Sequence, residues 1–251
     1  MQYEISARYY DELHKNESEL LAKKLFHYFN CDNNFNFNIL DLGCGTGTVL
    51  NELKKLGING FMQGIDLSTK MIREATKKNR TIDFRAVDVL EYDNNYKSHF
   101  DLVLCTHNVI NYVHPDSLKV FFRKIFQALS SKGLAFVDFD CENDFISLWP
   151  NYVQTDKGLD WEVCRRNSYD PKLREGTEKQ DWKISSNKGN SIEITEIHTL
   201  YPISPYSLVE VSDSQGLRLL EFLDPQSLET RNEPIDEVIT LAGVFKKHSK
   251  K

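Results

Sequence analysis

No apolar run in this 251-residue chain approaches membrane-spanning length, and no membrane association is expected. Its start, Met-Gln-Tyr-Glu-Ile-Ser, lacks the basic segment followed by an apolar one that marks a secretory leader. Cysteines are few: five, at positions 31, 44, 105, 141 and 164, with no C-x-x-C pair. An odd, scattered set argues against a disulfide frame or a zinc site and for reduced thiols in a cytoplasmic setting. Positive charge is also scarce, 31 Lys and Arg against 37 Asp and Glu, for a net charge of −6. A duplex or tRNA binder normally carries a basic surface, so nucleic acid is not the expected partner. Internal repeats and low-complexity linkers are absent too. The remaining composition, 40% hydrophobic and 27% charged, is that of an ordinary globular chain long enough to bury a real core.

The most informative stretch is Ile39-Leu-Asp-Leu-Gly-Cys-Gly-Thr-Gly47, an apolar strand ending in Asp41 and followed by three alternating glycines that lead into a helix. A backbone without side chains there lets a flat, polar cofactor lie against the strand end, and free amides at the helix start can meet its negative groups. Nineteen residues after Gly47 a second apolar strand, Phe61 to Ile65, delivers Asp66. An acid in that place accepts hydrogen bonds from a ribose, which points to a nucleoside-containing cofactor. The dinucleotide fingerprint is G-x-G-x-x-G, but here the spacing is G-x-G-x-G, with Thr48 where the last glycine belongs. Asp41 would also repel a pyrophosphate, whereas a cationic aminoacyl-sulfonium tolerates it.

At this point the chain resembles the class I S-adenosylmethionine-dependent methyltransferases. Asp41 to Gly47 is similar to their first motif and Gly64-Ile-Asp66-Leu-Ser-Thr-Lys-Met71 to their second. Val87-Asp88-Val89 and the strand Phe100 to Cys105 are similar to the third and fourth. The resemblance covers about residues 37–140. It implies an α/β fold with a Rossmann-like, seven-stranded, doubly wound sheet, and S-adenosylmethionine as cofactor.

Periodicity supports that fold. Val49, Leu50, Leu53 and Leu56 share one helical face, and Gly57 follows as a stop. Ser68 can cap a helix whose buried stripe is Met71, Ile72 and Ala75. Thr81–Val87 and Asp101–Cys105 read as buried parallel strands. Pro115 and Asp116 open a helix carrying Leu118, Phe121, Phe122, Ile125 and Leu129, and Ser131-Lys132-Gly133 reads as a turn into the strand Leu134–Phe139. Beyond it the rhythm breaks. Trp161–Arg166, Asp181–Ser185 and Ser191–Leu200 read as strands, with a hairpin turn at Asn187-Lys188-Gly189-Asn190. A helix from Ser204-Pro205 to about Ser214 and strands at Leu217–Leu223 and Val238–Phe245 close the sheet, and Lys246 to Lys251 reads as a frayed tail. The expected organisation is a helical lid over 1–36, a cofactor-binding core over 37–140, an antiparallel β flap inserted after the fifth strand over 141–203, and closing elements over 204–251.

The resemblance assigns candidate roles. Gly43, Cys44 and Gly45 form the loop against the cofactor, Asp41 holds its amino group and Asp66 its ribose hydroxyls. Asp88 and the Val89 amide meet the adenine, with Leu67 and Met71 beside it and Cys105 at the end of the fourth strand. Ligands bind at the carboxyl ends of such strands, so the loop Cys105-Thr-His-Asn-Val-Ile-Asn-Tyr-Val113 should face the methyl group. It lacks the Asn/Asp-Pro-Pro-Tyr of nucleobase and glutamine amino-methylating enzymes and the Cys-Pro of cytosine-C5 enzymes, which favours a small-molecule acceptor. Its polar candidates are His107, Asn108, Asn111, Tyr112 and His114. Tyr3, Tyr9 and Tyr10, followed by Asp11, resemble the aromatic lid of small-molecule methyltransferases; tyrosine faces suit a sulfonium and Tyr10 would sit against it.

The layout as a whole is similar to the N,N-dimethyltransferases of deoxyamino-sugar nucleotides. Tyr3 and Tyr112 fall near their acceptor positions, Tyr112 where those enzymes place a histidine. Flap residues Arg165, Arg166 and His198 would meet a phosphate or carboxylate of an acceptor, or simply lie on solvated strand faces. The cluster Asp138, Asp140, Glu142 and Asp144 raises magnesium dependence, but Cys105-Thr106-His107 stands where such enzymes need a further acid, so no metal is expected. The expectation is an S-adenosylmethionine-dependent methyltransferase acting on a small molecule, more at nitrogen than oxygen, as a monomer or homodimer. Tyr112, Tyr3 or His107 would assist loss of the acceptor's proton. Alternatives are RNA or protein as acceptor, a dehydrogenase, or a cofactor-binding protein without methyl transfer.

Overall fold

The computed structural model describes residues 3, 5–29, 36–93, 99–185, 190–231 and 238–248. It begins with one long helix, α1 (Ser6–Tyr28), and then alternates: β1 (Ile39–Leu42), α2 (Thr48–Lys55), β2 (Met62–Asp66), α3 (Thr69–Lys78), β3 (Asp83–Ala86), β4 (Phe100–Cys105), α4 (Leu118–Ala128) and β5 (Leu129–Asp140). After α5 (Glu142–Ser147) come β6 (Val153–Lys157), β7 (Trp161–Asp170), β8 (Glu175–Ser185) and β9 (Ser191–Leu200). The chain returns through α6 (Pro205–Ser214), β10 (Leu217–Leu223) and β11 (Thr240–Lys247).

The main sheet has the order β10-β11-β5-β4-β1-β2-β3, parallel except where β11 inserts antiparallel between β5 and β10. The expected seven-stranded doubly wound sheet is thus present. The chain runs outward from β1 to β3 on one side and from β4 to β5 on the other, so the order reverses between β1 and β4. A crevice for ligands opens at such a switch point, beyond the strand ends.

All four residues of β1 are buried, because both faces of this central strand are covered. On one face Ile39, Leu102, Leu104 and Phe136 pack with Val49, Leu50 and Leu53 of α2 and with Leu21, Ala22, Leu25 and Phe26 of α1. On the other, Leu40, Leu42, Val103 and Val137 pack with Leu118, Phe121, Phe122 and Ile125 of α4. Phe121 and Phe122 are fully buried, each contributing about 1.5–3 kcal/mol relative to exposure. Ser68 caps α3 as expected, its Oγ accepting the Met71 N–H at 3.2 Å.

The insertion is a four-stranded antiparallel sheet, β6-β7-β8-β9. Its inner side presents Trp161, Val163 and Trp182, which pack on Tyr9 of α1. The Tyr9 ring lies 5.7 Å from that of Trp182, and Trp161 Nε1 donates to Glu12 at 2.7 Å. The inserted sheet is seated on α1 by these contacts.

Several local expectations are corrected. Strand β6 escaped the sequence reading because Val153–Lys157 is polar and exposed, lying at a sheet edge. Strand β8 begins at Glu175, not Asp181; Gly176 belongs to it because a Cβ there would lie 2.4 Å from the Trp149 ring. Residues Ser131–Gly133 are part of β5, with a register irregularity against β4 absorbing what looked like a turn. Strand β3 is a half-exposed edge, not a buried strand. Leu118 begins α4, after a short 3-10 turn at Pro115–Ser117, and Leu129 already belongs to β5. Lys246 and Lys247 pair with Arg218 and Leu217 in the sheet instead of fraying. Residues 187–189 of the expected hairpin turn, residues 249–251 of the tail and Cys31 lie outside the described residues. Among the described residues, no helix is long and apolar enough to cross a membrane.

Candidate active site

The three glycines after β1 all have positive φ, at 75°, 52° and 71° for Gly43, Gly45 and Gly47. Two of them are glycines for the protein's own packing. A Cβ at Gly43 would stand 2.4 Å from Val109, and one at Gly47 would stand 2.6 Å from the Phe84 ring. Gly45 differs: its nearest neighbour would be Tyr10 Cε1 at 3.9 Å, so the space above its Cα is left open. The Gly43 and Cys44 amides donate to the Ile65 carbonyl at 2.8 and 2.9 Å, tying the loop to the end of β2.

Asp66 closes β2. One carboxylate oxygen accepts the Gly45 N–H at 2.9 Å and the other accepts the Ser68 N–H at 2.8 Å. Burial raises its pKa, and these two amides pull it back. Asp41 is 1% exposed and its Oδ1 has no hydrogen-bond partner. Burial pushes its carboxyl up to about 8, with Asp66 and Asp138 adding to the shift. A buried carboxylate with a free oxygen is a poor site for an anion and a good one for a cation.

The loop after β4 is stapled to the end of β5. Asp138 accepts the backbone N–H groups of His107 at 2.9 Å and Asn108 at 2.7 Å, and burial raises its carboxyl to about 7. Asn108 Nδ2 donates to Asp140, while the Asn111 side chain bonds the Asp140 backbone on both sides and the Tyr201 carbonyl. His107 and Asn108 both take φ of 59°, a conformation held by these bonds. The four acids weighed for magnesium are engaged with protein donors: Asp144 with Trp149 Nε1 at 2.7 Å and Glu142 with Arg174 at 2.8 Å, besides Asp138 and Asp140.

Tyr10 of α1 stands over Gly45, where Asp66 and Asp138 both add to the rise in its pKa that burial causes. Tyr3 meets Tyr10 edge-on at 6.3 Å, and its phenol bonds that of Tyr112 at 2.7 Å. The imidazole of His198, from β9, lies 4.8 Å from the Tyr3 ring and 6.0 Å from that of Tyr112. The cofactor loop, Tyr10, Tyr3, Tyr112 and His198 therefore form one continuous wall.

His107 turns elsewhere. Its Nε2 pairs with Ser18 Oγ at 3.0 Å, on the lid helix, and burial with His14 nearby lowers its pKa to about 4. Asp88 Oδ1 accepts the Leu90 N–H at 2.8 Å and caps a turn, and Val89 is half-buried against the core. Met71 is buried beneath α3, whereas Leu67 beside Asp66 is 67% exposed. Cys44 and Cys105 are buried with their thiols raised well above the usual range by desolvation. Arg165 is bridged to Asp156 and Arg166 to Asp181, so both flap arginines are already paired.

Two groups near this wall were missed from sequence. Glu196 accepts the Ile5 N–H at 2.7 Å, and Glu178 sits opposite His198 in the β8–β9 register. The signal for Glu178 is the period-2 pattern Gly176, Glu178, Gln180, Trp182 of the full-length β8, and that for Glu196 is its place two residues before His198 on the same face of β9. A further link is Asp11, which accepts the Thr46 and Thr48 hydroxyls at 2.6 and 3.2 Å and pairs with Lys78, fastening α1 to the cofactor loop.

Sheet order and strand-end loop together are those of the class I S-adenosylmethionine-dependent methyltransferase fold. The likeness extends to sequence: residues 39–133 match the model of the methyltransferase domain family. The chain is 28% identical over 144 residues to the carboxy-S-adenosyl-L-methionine synthase of Campylobacter fetus, which is 52% of this chain and 59% of that protein. It thus spans less than two thirds of this relative. Among solved structures, an S-adenosylmethionine-dependent methyltransferase of Clostridium acetobutylicum superposes with a TM-score of 0.81 at 19% identity, covering 97% of this chain and 98% of that one. An amino pentose methyltransferase of Micromonospora echinaspora, solved with S-adenosylmethionine bound, gives 0.69 at 16% identity, covering 90% of each chain. The residues fit that cofactor: the orphaned Asp41 oxygen faces a need for a cation, and the space above Gly45 is one that a Cβ would fill.

Proposed function

We propose that the protein transfers the methyl group of S-adenosylmethionine to an amine nitrogen of a small molecule held between α1 and the flap. The observation that carries this reading is the position of Tyr10, whose ring borders Gly45 on one side and Tyr3 on the other. One aromatic side chain thereby joins the cofactor end of the site to the paired phenols of Tyr3 and Tyr112.

In this reading Gly43, Cys44 and Gly45 lie under the cofactor, Asp66 binds its ribose hydroxyls and Asp41 its ammonium. Asp88 and the Val89 amide hold the adenine between Leu67 and Met71, and Cys105 closes the floor of the crevice. The bound cofactor supplies an electrophilic methyl on an excellent leaving group, so the protein needs no nucleophile of its own. Burial raises the pKa values of Tyr3 and Tyr112. They stay neutral phenols that orient the acceptor nitrogen. His107, neutral above about pH 4 and paired with Ser18, keeps the loop after β4 and α1 together. Residues 1–36 act as lid, 37–140 as cofactor core, 141–203 as acceptor flap and 204–251 as the closing elements. A cytoplasmic monomer or homodimer fits the free thiols of Cys44, Cys105, Cys141 and Cys164.

The test is incubation of purified protein and S-adenosylmethionine with fractionated small-molecule amines, read by mass spectrometry. An N-methylated product with stoichiometric S-adenosylhomocysteine supports the reading. Methylated alcohols only, or methyl label in protein or RNA, would replace it.

A further inference from the structure

The imidazole of His198 is completely buried, yet neither ring nitrogen has a hydrogen-bond partner among the described residues. Burying a histidine with both nitrogens idle is costly, and such groups are normally paired. This one faces the rings of Tyr3 and Tyr112. Directly across the sheet, in register, stands Glu178. Opposed residues of an antiparallel pair hold their Cβ atoms about 4.5–5.5 Å apart on one face. Glu178 bonds Gln180 through one oxygen at 2.5 Å, and its charge acts on Tyr3, Tyr112, His14 and His198 together. The neighbouring carboxylate, Glu196, accepts the Ile5 amide through Oε1, while its buried Oε2 has no partner among the described residues. The nearby guanidinium, Arg165, is bridged to Asp156. The side-chain charges that act on His198 are therefore both carboxylates, Glu178 and Glu196.

We infer that His198 and Glu178 form an amine-binding dyad: Glu178 draws in a cationic acceptor, and His198 takes the proton that the nitrogen must lose before it can attack. The inference rests on the methyl-transfer reading and gives its acceptor a charge. One N–H bond of the ammonium breaks, its electron pair remains on the acceptor nitrogen, and the proton joins a ring nitrogen of His198. The imidazolium so formed stands opposite the Glu178 carboxylate. Burial and, more weakly, the N-terminal ammonium lower the basicity of His198, while Glu178 and Glu196 raise it, and Tyr3 and Tyr112 facing it are uncharged. The ring is thus neutral and free to accept near pH 7. An acceptor with a phosphate at this end would meet Glu178 and is excluded, which parts this pocket from one built for an anion.

Three probes with the same body separate the cases: benzylamine, benzyl alcohol and benzyl phosphate, titrated by calorimetry into the full chain with and without S-adenosylhomocysteine. Benzylamine is expected to bind about tenfold tighter than either neutral or anionic probe, and Glu178→Gln to abolish the preference. With S-adenosylmethionine, His198→Gln is expected to lower kcat for N-methylbenzylamine formation by about 100-fold while KM stays within about threefold. Glu178→Gln, which changes a half-exposed residue, raises KM instead and guards against a folding defect in the His198 variant. Equal or tighter binding of benzyl phosphate, no binding of any probe, or His198→Gln turnover close to wild type would overturn the dyad. So would bound benzylamine and bound cofactor with no transfer. If S-adenosylmethionine itself fails to bind, the methyl-transfer reading falls, and the charge preference of the cofactor-free protein decides the dyad alone.

Discussion

The phenol oxygens of Tyr3 and Tyr112 lie 2.7 Å apart across 109 residues of sequence. This bond joins the start of the lid to the loop after β4. Removing one hydroxyl leaves its buried partner unpaired. Tyr112→Phe is expected to cost about 1 kcal/mol of stability, a fall in Tm of about 2–4 °C. It should also lower kcat/KM about tenfold, and the double variant with Tyr3→Phe should lose little more than either single one. Calorimetric scans and steady-state kinetics on the four proteins check this.

Gly45 and Gly43 should respond differently to the same methyl group. Gly45→Ala meets no close protein atom, so it should fold with a modest penalty for its φ of 52° and lose cofactor affinity by at least about 100-fold. Gly43→Ala drives a Cβ to 2.4 Å from Val109 and should fail in stability before binding can be measured. Thermal unfolding together with titration of S-adenosylhomocysteine separates the two outcomes.

Asp41 sets a pH dependence whose sign follows from its raised pKa. Its unfolded value is about 3.9, and burial holds the folded value at about 8. Between them the folded state binds the extra proton. This contribution to the stability of the cofactor-free protein is complete below about pH 4 and is lost as pH rises toward 8, at up to about 1.4 kcal/mol per unit. Asp138, held at about 7, acts in the same direction. Affinity for the cationic cofactor should run the other way, rising as Asp41 ionises between pH 6 and 8. Asp41→Asn should flatten the affinity profile and part of the stability profile, read by calorimetry across that range.

Helix α1 is fastened by Asp11, which binds Thr46, Thr48 and Lys78. Asp11→Ala should leave the sheet intact but speed cofactor release, weakening S-adenosylmethionine about tenfold through koff. It should also expose α1 to protease. Stopped-flow release of the cofactor and limited proteolysis test both. Unchanged koff would mean that α1 does not gate the site.

Much of the core was legible because its signals are local. Three glycines between two acid-tipped strands mark the cofactor loop, and the stripes Val49–Leu50–Leu53 and Phe121–Phe122–Ile125 give the helices that cover both faces. The pocket was less legible because its parts are brought together by register. Strand β8 starts six residues before the apolar stretch that marks it in the sequence, and its polar first half, with Glu178 and Gln180, carries no apolar alternation to show which face turns inward. Nothing in the sequence places His198 against Tyr3, because their contact is made by the seating of the flap on α1. His107 was the more obvious histidine, sitting in the loop after β4, yet its ring is turned to Ser18 by a backbone that Asp138 holds. The polar strand β6 has no buried face to announce it.

The most direct test of methyl transfer to a small molecule uses purified protein, methyl-labelled S-adenosylmethionine and a complete cell extract, with the label followed by size and by chemical form. Label recovered in low-mass N-methyl compounds, and absent when the Asp66→Ala variant replaces the wild type, is the expected result. Label confined to protein or RNA, or none transferred while the cofactor is bound, would contradict it.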